Sequence, residues 1–247
     1  MYNPYSLDGK TILITGASSG IGRATAIECS KLGANLILTA RNEDRLKSTL
    51  DSLEGGGHKM IVADLTLPAD LECLVNSLPK LDGLVNDAGI VMSKPIPFVK
   101  KEDVEKVLEI NTFAPIMLTK SILKKKLMSN QSSIVMVSSL AAITFAPGNS
   151  VYGISKSAIK TFAEYCAVET ACKGIRVNSV LPGMVNTEMT RNLSFSSEEL
   201  EADKNHYPIK RYGNPEEIAW AIIYLLSDAT KWVTGTQIII DGGVHLV

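Results

Sequence analysis

The sequence predicts an α/β protein of the doubly wound class, with one parallel sheet and helices on both faces. Three observations predict it. Short apolar runs alternate with helix-length amphipathic segments along the chain, the pattern of strand–helix–strand units. The first run, KTILIT, ends in a glycine-rich turn, TGASSGIG at residues 15–22, and passes directly into a helix. The 247 residues contain no internal repeat and no linker that would divide them, which suits a single domain, 1–247, with a large core.

The elements follow in order. Residues 10–15 read as a strand buried on both faces, and the glycine turn stands where a dinucleotide site requires it. Gly16 permits the tight turn, Gly20 lets backbone approach a pyrophosphate, and Gly22 lets helix pack closely on strand. Ser18, Ser19 and Ile21 complete the expected contacts of the turn. The helix ends at Gly33, a C′ glycine, and its N-terminus faces the phosphates. Asn35–Ala40 is the second strand. Binding NAD through free ribose hydroxyls calls for a carboxylate at its end. The chain has Arg41-Asn42 instead. Arg41 can hold a ribose 2′-phosphate in bidentate fashion, with Ser18 adding a hydroxyl, so NADP(H) is expected over NAD(H). Asn42 is also a natural N-cap for a helix over 43–53, closed by Gly55-Gly56-Gly57.

The third strand, 60–63, delivers Asp64 and Leu65. Asp64 is the candidate acceptor for the adenine amino group. Pro68 suits the first turn of the next helix. The fourth strand, Leu81–Asn86, places Asn86 at its end, and the small Ala88 and Gly89 let backbone pass under a cofactor. A loop over 90–99 leads to a long helix over 101–127 that holds Asn111 and Pro115. Proline has no N–H to bond the Asn111 carbonyl, and its ring pushes that carbonyl aside. A kinked helix whose free Asn111 carbonyl binds a relay water is therefore expected. The fifth strand, 133–137, delivers Ser138 and Ser139. A helix over 150–171 and a sixth strand over 175–180 follow, the latter ending in Leu181-Pro182-Gly183. Residues 183–213 are less regular and are the natural substrate lid, with Ser196 and Glu199 set as a capping box. Asn214-Pro215-Glu216-Glu217 opens another helix, and 236–240 is the last strand.

The stretch 138–156, SSLAAITFAPGNSVYGISK, carries the chemistry. A free phenol with a pKa of ~10 is a poor base at neutral pH. In a helix, Lys156 lies on the same face as Tyr152, and its charge is expected to favour the phenolate and lower the tyrosine pKa. The Ser139 hydroxyl can hold the oxygen of a substrate. Such a set passes a proton to or from an alcohol oxygen while another group carries a hydride.

Bulk properties exclude other classes. The chain is 45% hydrophobic and 21% charged with a net charge of −1, so no basic excess points to nucleic acid. Lys124-Lys125-Lys126 is the one dense basic run and reads as the solvated end of a helix. Cys29, Cys73, Cys166 and Cys172 form no CxxC pair and no metal-ligand pattern with His58, His206 and His245, so no metal is expected. Buried free thiols in a reducing cytoplasm are the expectation. The N-terminus lacks the long apolar region of a signal peptide. No run approaches the roughly 20 apolar residues of a membrane span.

Taken together, these motifs resemble the short-chain dehydrogenase/reductase family over essentially the whole chain. Thr15–Gly22 matches its TGxxxGIG turn, and Asn86–Gly89 stands where the family has NNAG, with Asp87 as a departure. Asn111, Ser139, Tyr152 and Lys156 match its catalytic tetrad. Pro182-Gly183 matches its turn beside the nicotinamide, with Val185 and Thr187 where the carboxamide is held. The ending Ile240-Asp241-Gly242-Gly243 resembles the one common among 3-oxoacyl-acyl-carrier-protein reductases. The resemblance implies a Rossmann fold with a seven-stranded parallel sheet, a homotetramer, and a carbonyl–alcohol oxidoreductase. Tyr152 would be the acid/base, Lys156 would lower its pKa and hold ribose, Ser139 would polarise the carbonyl, and Asn111 would anchor the relay water. A narrower expectation is a 3-oxoacyl-acyl-carrier-protein reductase, with Lys173 near that group's carrier-docking residue. A third, of another class, is a non-catalytic cofactor-binding sensor, against which the intact tetrad argues. Val91, Met92, Leu140, Phe145, Met184 and Met189 are expected to wall an apolar substrate pocket.

Overall fold

The computed structural model describes residues 2–191 and 196–247. Its strands are β1 (Thr11–Thr15), β2 (Asn35–Ala40), β3 (Lys59–Val62), β4 (Leu81–Asn86), β5 (Met128–Val137), β6 (Arg176–Pro182) and β7 (Gln237–Ile240). They form one sheet of seven strands in the order β3-β2-β1-β4-β5-β6-β7, parallel throughout. Chain direction across the sheet reverses between β1 and β4. The crevice beyond the carboxyl ends at such a reversal is where ligands bind in open α/β sheets.

The strands are apolar on both sides because both sides are covered. Side chains alternate between two cores. Ile12 and Ile14, Leu36 and Leu38, and Val135 and Val137 enter one of them. Leu13, Ile37, Ile134 and Met136 enter the other. Helices α1 (Gly20–Lys31), α2 (Glu43–Leu50) and α9 (Pro215–Leu226) cover the first face, through residues such as Cys29, Leu46 and Ile222. On the second face, α3 (Pro68–Asn76), α5 (Ala114–Lys124) and α6 (Ser150–Thr170) contribute Leu74, Leu118 and Ile159. Helix α4 (Lys101–Leu108) precedes α5, and α7 (Glu188–Arg191) and α8 (Ser197–Lys204) lie in the segment expected to be a lid. The Ser196 capping box is present: Glu199 N–H donates to Ser196 Oγ at 3.1 Å, and Ser196 N–H donates to Glu199 Oε2 at 2.7 Å. Part of the expected lid, residues 192–195, lies outside the described residues.

Three expectations need correction. The helix expected over 101–127 is not continuous. Residues Glu109–Phe113 form a π-helical turn in which the Ala114 N–H reaches Glu109 O. Pro115 has no N–H for Asn111, so the turn widens instead of closing in the α pattern. The fifth strand begins at Met128, five residues before the predicted start. The polar residues 129–132, which lie between the expected helix and strand, pass along the sheet as an irregularity in the pairing with β4, with Gln131 at φ +62°. The cysteines are free as expected, but only Cys29 and Cys166 are buried. Cys73 and Cys172 are exposed, and Cys172 lies beyond α6 in a 3-10 turn.

Candidate active site

A cleft of about 930 Å³ crosses the carboxyl ends of the strands, at the upper end of the usual range for ligand sites. Arg41, Asn42, Asp64 and Leu65 line one end. Gly16, Ser18, Ser19, Gly20 and Ile21 form its middle, with Ala88 and Gly89 opposite. Ser139, Tyr152 and Lys156 line the other end, together with Pro182, Gly183, Val185 and Thr187. Three of the predicted catalytic and cofactor-binding residues are not on its surface. Gly22 packs under the turn, Asn86 is buried and donates to Thr119 Oγ1 at 3.3 Å, and Asn111 is 1% exposed.

The glycine turn fits a pyrophosphate for steric reasons. A Cβ on Gly16 would lie 2.9 Å from Ala88 N, and one on Gly22 would lie 2.5 Å from Gly16 O. The turn therefore folds onto the end of β4 with no room for side chains. It leaves the N-terminus of α1, which has no acidic residue in its first turn and no side-chain cap from Ser19, toward the cleft. Such an end attracts an anion. At the adenosine end, Asn42 caps α2 by accepting the Arg45 N–H at 2.9 Å. Asp64 Oδ1 accepts from Thr66, while Oδ2 sits 3.8 Å from the Arg41 guanidinium. Arg41 remains largely exposed to the cleft mouth. These residues fit the adenosine end of a dinucleotide.

At the other end, α6 is fixed to β5 by two hydrogen bonds. Ser138 Oγ donates to the Lys156 carbonyl at 2.8 Å, and Lys156 Nζ donates to the Val137 carbonyl at 2.9 Å. The Lys156 ammonium lies 5.9 Å from the centre of the Tyr152 ring. Asn111 serves through its side chain. Its Oδ1 accepts the Ile90 N–H at 2.8 Å, and its Nδ2 donates to Ile90 O at 2.8 Å and to Ser155 Oγ at 3.0 Å. It thus joins the loop after β4 to α6. The sequence reading of Asn111 rested on its carbonyl and missed this staple.

The electrostatics differ from the expectation in one respect. Tyr152 is not lowered. Burial pushes its pKa above the ordinary phenol value; the Ser139 hydrogen bond opposes that rise and the charge of Asp87 adds to it. The reason is that protein packs closely around the phenol, which disfavours a phenolate, while Lys156 turns its ammonium to Val137. Burial likewise pushes Lys156 down to about 8, with Asp87 opposing. Tyr152 is therefore a protonated donor.

Several lining residues were not foreseen. Arg45, one turn after Arg41, makes a two-pronged pair with Glu188 at 2.7 and 3.2 Å, joining α2 to α7 across the cleft. The i,i+4 spacing from Arg41 was the available signal. Of the expected substrate walls, Val91, Leu140, Met184 and Met189 line the cleft. Met92 does not, and Phe145 is 96% exposed, because the 143–149 loop turns it outward before Gly148 at φ +84°. Polar groups from Ser93, Thr144, Asn149 and His206 stand among the apolar walls. Among the described residues no cluster of His, Cys, Asp and Glu could hold a metal ion, and no helix is long and apolar enough to cross a membrane.

A family model described as enoyl-(acyl carrier protein) reductase matches residues 16–245. The chain is 36% identical to a 3-oxoacyl-(acyl-carrier-protein) reductase of Rickettsia felis over 241 residues, 98% of this chain and 99% of that one. It is 33% identical to a glucose 1-dehydrogenase of Gluconobacter oxydans, across 96% of this chain and 92% of that one. Among solved structures, a candidate 2-deoxy-D-gluconate 3-dehydrogenase of Agrobacterium tumefaciens with bound NADP matches with a TM-score of 0.90. It shows 29% identity, with both chains fully covered.

Asp87 generates a prediction about stability. Burial pushes its carboxyl up to about 7, against the pull of Lys156 and the Gly22 N–H. The folded value lies above the unfolded one, so ionisation destabilises the fold. That penalty is absent below the ordinary carboxylate range, grows as pH rises, and is complete above about 7. Asp87→Asn should therefore raise the melting temperature more at about pH 8 than at about pH 5. Equal shifts in the two melting curves would contradict a strained carboxylate.

Proposed function

The chain belongs to the short-chain dehydrogenase/reductase family, and from that premise we propose that it is an NADP(H)-dependent oxidoreductase interconverting a ketone and a secondary alcohol. The observation that carries the reading is one cleft with a phenol and a hydroxyl, Tyr152 and Ser139, at one end and Arg41 at the other. A bound nicotinamide would supply or accept the hydride. Ser139 and Tyr152 hold the substrate oxygen. In reduction Tyr152 gives that oxygen its proton, and in oxidation it takes the proton back. The charge of Lys156 stabilises the phenolate left behind, and its ammonium and the Tyr152 hydroxyl hold the nicotinamide ribose. Proton return runs through Lys156 and a water on the Asn111 carbonyl, which Pro115 leaves without an i+4 amide partner. Pro182, Gly183, Val185 and Thr187 hold the carboxamide. Residues 183–213 act as the lid.

The 2′-phosphate falls to Arg41 and Ser18, which supports NADP(H) over NAD(H). Two substrate classes fit the cleft. Val91, Leu140, Met184 and Met189 suit an acyl chain, as in the relative from Rickettsia felis. Ser93, Thr144, Asn149 and His206 suit a polyol, as in the sugar dehydrogenases. The hydroxyl pair Ser139 and Tyr152 favours a carbonyl over the carbon–carbon double bond that the family description names. Carrier docking at Lys173 does not follow from one chain. Lys173 lies past the far end of α6, roughly 30 Å of helix from Tyr152 at 1.5 Å per residue. It would serve the site of a neighbouring copy.

A homotetramer is the assembly proposed. Phe113, Met117, Ile154, Tyr165 and Val168, on and beside α5 and α6, are exposed, and an apolar face of that kind marks an association surface. The four free thiols fit the cytoplasm.

Three measurements test these proposals. Tyr152→Phe keeps the ring and removes the proton, so turnover should fall by about 10²–10⁴-fold with cofactor affinity little changed; retained activity refutes the acid/base role. Arg41→Ala should weaken NADPH by about 1.5–3 kcal/mol and NADH far less, whereas equal losses would make Arg41 a mere surface charge. Light scattering should give about four times the 26.6 kDa chain mass, and a monomer at micromolar concentration rejects the assembly.

A further inference from the structure

The mechanism leaves one ionisable group of the site unused. Asp87 stands where the family carries an asparagine, and it lines the cleft at the foot of the glycine turn, partly exposed. Its Oδ2 lies 2.7 Å from the Cβ position of Gly22 and 3.1 Å from that of Gly16. The Gly22 N–H pulls the carboxyl toward its ionised form. Its backbone is held in place, since the N–H groups of Asp87 and Ala88 both donate to Thr15 Oγ1 at 3.0 Å. Asp87 therefore lines the cleft beside the glycine turn, together with Ser18 to Ile21.

The groups that face it are few. From α6 come Lys156, the opposing cation, and Tyr152. From α1 comes the bare positive end of the helix, with no acid in its first turn; Arg23 is turned away to Ser52 Oγ at 3.2 Å. From β1 comes the neutral Thr15. Asn111 is committed to Ile90 and Ser155. Asp87 is thus the resident anion of a helix terminus that also faces the cleft.

We propose that Asp87 is a proton-linked positioning residue for the cofactor: its carboxylate competes with the dinucleotide pyrophosphate for the N-terminus of α1, and it takes a proton from solvent when the dinucleotide binds. This rests on the dinucleotide reading of the glycine turn. A pyrophosphate brings two negative charges to a helix end that one carboxylate already occupies. Like charges in a partly desolvated site raise the carboxyl pKa, and Asp87 starts at about 7 in the free protein. The sign follows by linkage. Between the free and bound pKa values the complex holds more protons than its parts. Binding is therefore pH-independent well below 7 and weakens as pH rises, by up to about tenfold per pH unit. Asparagine, which cannot ionise, would keep the Gly22 contact without this dependence.

Isothermal titration with NADPH tests the proposal, run at about pH 7.5 in buffers of different ionisation enthalpy, so that proton uptake is read directly. Lys156 also titrates near this range, so the comparison is made in a Lys156→Arg background, whose cation keeps its charge. The Lys156→Arg protein should take up a substantial fraction of a proton per NADPH, and its Kd should rise steadily from about pH 6.5 to about pH 8.5. Adding Asp87→Asn should remove both effects. The cofactor's own 2′-phosphate contributes equally to each protein and cancels in the difference. Equal uptake with and without Asp87, or no uptake in the Lys156→Arg protein, overturns the proposal. The second of these needs no Asp87 variant, so it stands even if the double variant fails to fold. Failure of both NADPH and NADH to bind at any pH would defeat the dinucleotide reading itself, and this proposal with it. Tight binding without proton linkage would defeat this proposal alone.

Discussion

Two hydrogen bonds between the end of β5 and α6 hold the site together. Ser138 Oγ donates to the Lys156 carbonyl and Lys156 Nζ donates to the Val137 carbonyl. A lysine 6% exposed needs such a partner, because a buried ammonium without one is strongly destabilising. The same bonds fix the rotation of α6 about its axis. That rotation decides whether Tyr152 faces the cleft, and the position of β5 decides where Ser139 stands beside it. On its other flank α6 is tied through Ser155 to Asn111, and through Asn111 to the loop after β4. Three segments far apart in the chain are thereby held in register at one sheet end.

Withdrawal from water governs the chemistry as much as geometry does. Tyr152, Lys156 and Asp87 share a small volume, and burial pushes each toward its neutral form. Their protonation states depend on one another, so the site titrates as a coupled set. A protonated phenol beside a lysine near its own pKa suits proton donation in reduction. A bound dinucleotide changes the charge balance of this set, and for that reason the free chain and the working enzyme need not share one tyrosine pKa.

Much of the fold was legible because local rules and global topology agree here. The strand–turn–helix pattern at 11–31, the N-cap at Asn42, the C′ glycine at Gly33 and the box at Ser196 all appear as residue chemistry dictates. What failed did so for identifiable reasons. Pro115 announces a disturbance but not its form, since a kink and a π turn satisfy the same missing N–H. The polar residues 129–132 carry no apolar strand signal, yet neighbouring strands carry them along the sheet. Phe145 looks like a pocket wall by type, but its direction is set by the conformation of a loop. The lowered Tyr152 pKa follows from a two-residue argument and reverses once burial and Asp87 are included. Arg45 needs Glu188, 143 residues away, for its role to be visible.

The most direct test of the account is isotopic. NADPH deuterated at the transferable position is incubated with the protein and a panel of acetoacetyl thioesters, ketoses, steroid ketones and small ketones, and products are examined by NMR. The account predicts a secondary alcohol that carries the deuterium on its carbinol carbon and a solvent-derived proton on its oxygen. A protein that binds the cofactor yet delivers deuterium to a carbon–carbon double bond, or to no carbonyl in the panel, would contradict it.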